Sequence, residues 1–171
     1  MVKIFEIQNG TLIPTEHCYS LTSLKKIMGK YEDYIQVYLY LFYMTCPDPE
    51  LNPFFDTPEI DKEDIILSQL GDIQFTTEDS EIIEAMELLT TLYSTPTLRA
   101  YIGIKGALDN LANYMGTAEI TAGRDGNITA LINAAAKFEQ VRTSFKGAYK
   151  DLIAEQSISV RGNSALAYDQ E

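Results

Sequence analysis

The sequence predicts a mainly α protein: a helical bundle with a short N-terminal β-hairpin, a long C-terminal helix and an extended C-terminal tail. Three observations carry this expectation. Apolar residues recur at helical spacing in six successive stretches, most of them bounded by capping or helix-breaking residues. Residues 128 to 153 carry one apolar stripe over about seven turns. Asn9-Gly10, inside "VKIFEIQNGTLIPT", supplies the pair that best tolerates the positive φ angles of a tight hairpin turn.

The hairpin is placed at residues 2 to 14, ending at Pro14. Two strands are not stable alone in water, so it must rest on helices or pair with a neighbouring chain. In "SLTSLKKIMGKY", Ser20 or Thr22 offers a cap, and Leu21, Leu24, Ile27 and Met28 fall at helical spacing in a short helix stopping near Gly29. A second helix should run from about Glu32 to Thr45, closed by Pro47 and Pro49, because proline pushes its preceding residue out of the helical region. Residues 46 to 56 read as a loop. In "TPEIDKEDIILSQLG", Thr57 is expected to cap, Pro58 to take the first helical position and Gly71 to stop the helix. In "TTEDSEIIEAMELLTTLYS" the expected cap is Thr77 or Ser80, and Ile82, Ile83, Met86, Leu89 and Tyr93 form the stripe. Thr95 and Pro96 begin the next helix, in which Gly103 and Gly106 either weaken the helix or admit another backbone.

The last helix places Leu131, Ile132, Ala135, Phe138, Val141, Phe145, Ala148, Tyr149, Leu152 and Ile153 on its stripe. Such a stripe is too long for a small domain to cover at every point, so several short helices or a second subunit must pack along it. After Gln156 the period is lost. Residues 1–156 are therefore read as a single helical domain and 157–171 as the extended tail.

At 171 residues and 46% hydrophobic, the chain can build one ordinary core. Its two cysteines, Cys18 and Cys46, and its one histidine suggest neither a disulfide scaffold nor a zinc site, and fit a reducing compartment. The N-terminus lacks the pattern of a signal peptide. The apolar run Tyr34 to Met44 is about half the roughly 20 residues a membrane span needs. No membrane span is expected.

Net charge is −12, and residues 48 to 87 hold thirteen acids against one base, Lys62. Phosphate binding needs an excess of lysine and arginine, so this segment is not a nucleic-acid surface. It is either a solvated acidic face or a docking face for a basic partner. Residues 124 to 161 carry six bases and four acids. Nucleic-acid contact there is expected to be weak at most.

No phosphate loop, nucleophile elbow or zinc-protease motif occurs in the sequence. His17 and Cys18 are adjacent in an expected turn, where side chains diverge, a poor geometry for a nucleophile pair. Asp125, Asn127 and Thr129 alternate as calcium-loop oxygens do, but counting Asp125 as the first position puts Ala136 where the glutamate ligand belongs. Gly123 and Gly126 with Asp125 or Asn127 instead suggest a turn that caps the long helix. Carboxylate pairs such as Asp61/Asp64, Glu78/Asp79 and Glu81/Glu84 arise from composition alone in so acidic a stretch. The expectation is a non-enzyme without cofactor or metal.

The aromatic run "YIQVYLYLFYM" raises the sharpest question. Ile35, Leu39 and Phe42 fall on one face and are expected in the core, with Tyr34, Tyr38 and Leu41 beside them and Tyr40 and Tyr43 towards another side. A helix apolar nearly all round is covered nearly all round, by its own domain or by another protein. Tyr34, Tyr38, Tyr40 and Tyr43 are therefore candidate interface residues, as are Val160, Arg161, Leu166 and Tyr168 of the tail.

The order of "CPDPELNPFFDTPEIDKEDIILSQLG", "YSTPTLRAY", "ITAGRDGNITALINAAAKFEQVRTSFKGAYKDLIAEQ" and "SVRGNSALAYDQ" resembles small virion-associated proteins of crAss-like tailed bacteriophages. The resemblance covers about residues 32 to 171 and rests on loose motifs, none of them a chemical signature. It implies a structural protein made in the host bacterial cytoplasm and carried in the virion, as a head-tail connector, portal-region or tail protein. It further implies a homo-oligomeric ring, about a dozen copies by the symmetry of such assemblies, bound to portal or tail components. A DNA-packaging accessory protein like a small terminase subunit, or a small oligomeric regulator, are the alternatives.

Overall fold

The computed structural model describes residues 3–8, 10–121 and 126–165, the last nine by backbone alone. The chain is mainly helical, with a two-stranded antiparallel hairpin at its start and a long helix at its end. It divides into two compact units, Met1–Ser94 with Gln156–Glu171, and Thr95–Glu155. Each is described on its own.

The first unit opens with β1 (Phe5–Gln8) and β2 (Thr11–Pro14), paired from Phe5 opposite Pro14 to Gln8 opposite Thr11. Gly10 lies in the turn at φ 77°, where a side chain would be strained. Of the two supports open to this hairpin, the helices provide one: Phe5 is buried, with its ring 5.3 Å from Tyr38 and 6.3 Å, edge-on, from Phe42. Thr15 closes the base, its backbone N–H and hydroxyl both donating to the Ile4 carbonyl.

Five helices follow in this unit: α1 (Glu16–Ser20), α2 (Thr22–Lys30), α3 (Tyr34–Thr45), α4 (Glu59–Leu70) and α5 (Ser80–Tyr93). The His17-Cys18 segment forms the short helix α1, where a turn was expected; Ser20 supports its end by donating to the His17 carbonyl at 2.7 Å. The central helix is α3, packed against α2, α4, α5 and β2. This surrounds it, and so explains a sequence apolar on every side.

Which α3 residues lie deepest differs from the sequence expectation. Val37, Tyr38, Tyr40, Leu41 and Phe42 are buried, whereas Ile35 and Leu39 are only half-buried. A nearly uniform apolar helix has no preferred face of its own, so its neighbours select the buried side. Ile27, Leu24, Ile66, Ile82, Ala85 and Leu89 complete the core from α2, α4 and α5.

Several caps also differ from expectation. Pro58 holds the N-cap position of α4, one residue past Thr57, without a side-chain hydrogen bond. Asp79, rather than Thr77 or Ser80, caps α5 and accepts from the Glu81 N–H at 3.2 Å. An aspartate is at least as good an acceptor at this position, and adds charge favourable to the helix N-terminus. Gly71 ends α4 at φ 76°, as its identity suggests.

The second unit contains α6 (Pro96–Thr117), capped by Thr95, whose hydroxyl oxygen accepts from the Leu98 N–H at 3.2 Å. It also contains most of α7 (Ile128–Ala165). Tyr101, near the start of α6, stacks 5.2 Å from Phe145 and 6.0 Å from Tyr149 in the later part of α7, and the Thr95 hydroxyl donates to Glu155 at 3.2 Å. The helices are thus antiparallel.

The α7 backbone outlasts its apolar stripe and stays helical to Ala165, so residues 157–165 of the expected extended tail are helical. An existing helix gains one hydrogen bond for each residue added, and needs no apolar stripe for that. Residues 166–171 lie outside the described ones, as do the side chains of Val160 and Arg161.

Candidate interaction surfaces

The four α3 tyrosines separate by environment. Tyr38 and Tyr40 are 1% and 3% exposed, so they are core residues and offer no ring to a partner. Their polar ends are satisfied inside the unit: the Tyr38 hydroxyl donates to the Leu24 carbonyl at 2.8 Å, and that of Tyr40 to Glu63 at 3.1 Å. Burial pushes both phenols well above their ordinary range. Tyr34 and Tyr43 are half-buried; Tyr34 meets Tyr38 edge-on at 5.5 Å, and Tyr43 meets Phe54 edge-on at 5.1 Å. Only these two keep surface for a neighbour. Of the tail candidates, Leu166 and Tyr168 lie outside the described residues.

Two polar residues given no structural role by the sequence, Asn52 and Lys62, anchor the end of α3. Asn52 is 1% exposed; its amide donates to the carbonyls of Tyr43 and Cys46, both at 2.9 Å, while its oxygen accepts from the Phe54 N–H at 3.0 Å. Lys62 is 5% exposed, and its ammonium donates to the Met44 carbonyl at 2.9 Å. A helix C-terminus has unpaired carbonyls and a partial negative charge, so an amide and a buried cation suit it. A signal was present for Lys62, the lone base in a strongly acidic segment.

Its withdrawal changes the acidic segment, whose one base is not on the surface. Cations reach this face from α2 instead. Lys30 binds both carboxylate oxygens of Asp79, at 2.7 and 2.6 Å, and Glu81 at 2.8 Å; Tyr31 donates to Asp79 at 2.6 Å. Hydrogen bonding from Glu81, Lys30 and Tyr31 holds the Asp79 carboxyl well below the usual carboxylate range. Lys26 pairs with Glu84 at 2.8 Å. These contacts answer the acids at the start of α5 only. By sequence the first unit holds 6 basic and 19 acidic residues, net −13, and the second 7 and 6, net +1.

A cleft of about 490 Å³ opens in the first unit between α3, the Pro53-Phe54 turn and the end of α4. Ile35, Leu39, Tyr43 and Phe54 line it with Gln36 and Asp33. Gln36 donates from its amide to the carbonyls of Leu70 and Asp72, at 3.3 and 3.1 Å. Its buried Oε1 has no hydrogen-bond partner among the described residues.

The cysteines show no activation for chemistry. Both are buried and unpaired to each other; burial pushes the Cys18 thiol up to about 11 and the Cys46 thiol up to about 12, away from the thiolate.

In the second unit, α6 and α7 meet along a regular seam. Covered positions include Thr97, Tyr101, Ile104, Leu108, Leu111, Met115 and Ala118 on one side and Leu131, Ala134, Phe138, Val141, Phe145, Ala148 and Leu152 on the other, flanked by the covered Leu98, Lys105, Tyr149 and Ile153. Steps alternate between three and four residues, the spacing of a coiled coil. Gly103 and Gly106 lie off this seam, exposed, with open space around the position a side chain would take. Ile102, Ile128 and Ile132 are also off it, at 57%, 44% and 63% exposure.

At the tip, Asn127 ties the loop instead of capping α7 with its side chain. Its oxygen accepts from the Thr121 N–H at 2.9 Å and its amide donates to the Glu119 carbonyl at 2.7 Å. Asp125 lies outside the described residues. Among the described residues, no helix is long and apolar enough to cross a membrane, and no group of three histidine, cysteine or acidic side chains is placed to hold a metal. Compared with known proteins, the chain matches no family model, no curated protein and no solved structure.

Proposed function

We propose that the protein is a structural, non-enzymatic component of a tailed-phage virion, a ring-forming connector or tail protein acting through protein–protein contacts. The observation that carries the assembly part of this reading is the α6–α7 hairpin. Its seam spans only two helices, and it leaves Ile102, Ile128 and Ile132 facing solvent. Two-helix hairpins pair into bundles when such faces meet. The near-neutral second unit is also where two copies can approach with little like-charge repulsion, which the strongly acidic first unit would oppose. The virion part rests on the resemblance of residues 32 to 171 to phage proteins.

Native mass of the full chain tests the assembly reading. Wild type should form a closed oligomer of about a dozen copies, as a ring requires. The exposed substitutions Ile102→Lys and Ile132→Lys should lower the mass towards the monomer without changing helix content. A wild-type protein that is monomeric at every concentration would overturn the reading. Mass analysis of phage particles carrying the protein tests its place in the virion.

A further inference from the structure

We propose that the cleft between α3 and the end of α4 is the docking site for a basic, extended peptide segment of another protein, anchored by one aromatic or large apolar side chain. Two observations point to this occupant. The wall formed by Ile35, Leu39, Tyr43 and Phe54 offers an apolar and aromatic surface in a cleft of about 490 Å³, room for a side chain and its adjoining backbone. The surroundings are acidic: Asp33 lines the cleft, and the whole unit carries −13.

Three of the five lysines of the first unit are already engaged. Lys62 is buried against the Met44 carbonyl, and Lys30 and Lys26 are bound by Asp79, Glu81 and Glu84. A cationic segment would therefore meet, at the edge of an apolar socket, the carboxylate of Asp33, which caps α3 through the Gln36 N–H and pairs with no described cation. Charge gives such a contact its attraction and the socket its specificity. A neutral apolar molecule leaves the acids unused, and nucleic acid is repelled by them. The site is independent of ring formation, because it belongs to the acidic unit rather than the hairpin.

The probe is a fluorescent, end-blocked hexapeptide, Gly-Lys-Phe-Lys-Lys-Gly, followed by polarisation with full-length protein at physiological salt. It should bind saturably; replacing its Phe by Gly should weaken binding about tenfold or more, and replacing its lysines by glutamate should abolish it. Two variants carry the same charge change. Gln69→Lys, on the exposed rim of the cleft, should weaken binding by about tenfold, whereas Glu87→Gln, exposed on α5, should alter it by less than about twofold. Amide chemical shifts should move at residues 33–43 and 69–72. The proposal is overturned by no saturable binding, by equal binding of the peptide lacking Phe, by equal effects of the two variants, or by shift changes confined to other residues. Native mass is read separately, so loss of the ring reading and loss of this site are distinguishable.

Discussion

Lys62 offers the most direct test of how the first unit is held together. Its side chain is 6% exposed, and its ammonium reaches the Met44 carbonyl at 2.9 Å, with Glu59 more distant at 3.8 Å. Lys62→Ala removes three methylenes beyond Cβ, about 0.8 kcal/mol each, or about 2.4 kcal/mol of apolar burial. It also removes a hydrogen bond from a charged group, worth about 1.5–3 kcal/mol, and leaves the end of α3 without that donor. Relief from desolvating the ammonium offsets part of this loss. The expected destabilisation is about 2–4 kcal/mol. Lys62→Met keeps the stem and removes the buried charge, so the hydrogen-bond and desolvation terms nearly cancel, leaving a loss of about 0–1.5 kcal/mol. The gap of about 2.4 kcal/mol between the two variants is the stem term alone and does not depend on the electrostatics. Urea unfolding followed by circular dichroism measures both, with an unchanged denaturant slope as the check that only stability has moved. If both variants lie within about 0.5 kcal/mol of wild type, the lysine is a surface residue and the reasoning fails. If Met costs as much as Ala, the stem is not packed.

The remaining predictions concern backbone, pH and the hairpin base. Gly103→Ala and Gly106→Ala each remove helix-interior glycine from an exposed position with open space, and should each raise stability by about 0.5–1 kcal/mol in urea unfolding. Gly71→Ala makes the same chemical change at φ 76°, and should lower stability by about 1–2 kcal/mol. Alkaline titration should expose the buried acids of the core. Cys18, Cys46, Tyr31, Tyr38, Tyr40 and Tyr93 all have folded pKa values raised, chiefly by burial, so the neutral form is favoured by folding. Their contribution is fully present below the ordinary values of 9.0 and 10.0, and is lost as pH rises beyond them, with the Cys18, Cys46 and Tyr31 folded values at about 11 to 12. Tyrosinate absorbance should therefore rise cooperatively with loss of helix; a smooth titration of all tyrosines near their ordinary value, with helix content intact, would contradict this. Phe5→Ala should detach the hairpin from α3, costing about 3–5 kcal/mol, which thermal or urea unfolding would detect.

Much of the fold was legible because helix signals are local. The turn at Gly10, the Thr95-Pro96 start and the Gly71 stop each depend on side chains or backbone freedom within a few residues. The coiled-coil seam was visible in α7 as a stripe from Phe138 onward, although Ile132 and Ala135, expected on that stripe, are exposed; in α6 Gly103 and Gly106 obscured the pattern though both lie off the seam. The cleft was not legible, because Gln36, Phe54 and Leu70 come from segments distant in sequence. Asn52 gave no periodic signal, since its partners are main-chain carbonyls at the end of another element.

Composition and periodicity by themselves determined that the chain is helical, that a hairpin begins it, and that its negative charge is concentrated in one segment. Spacing and charge count are properties of the chain before it folds. Tertiary structure alone decided that Tyr38 and Tyr40 belong to the core while Tyr34 and Tyr43 reach its edge. The residues of α3 are nearly equal in hydrophobicity, so the choice among them was made by the helices and strand packed around it. Structure likewise decided that Lys62 leaves the surface, because the carbonyls it satisfies exist as unpaired acceptors only where α3 ends.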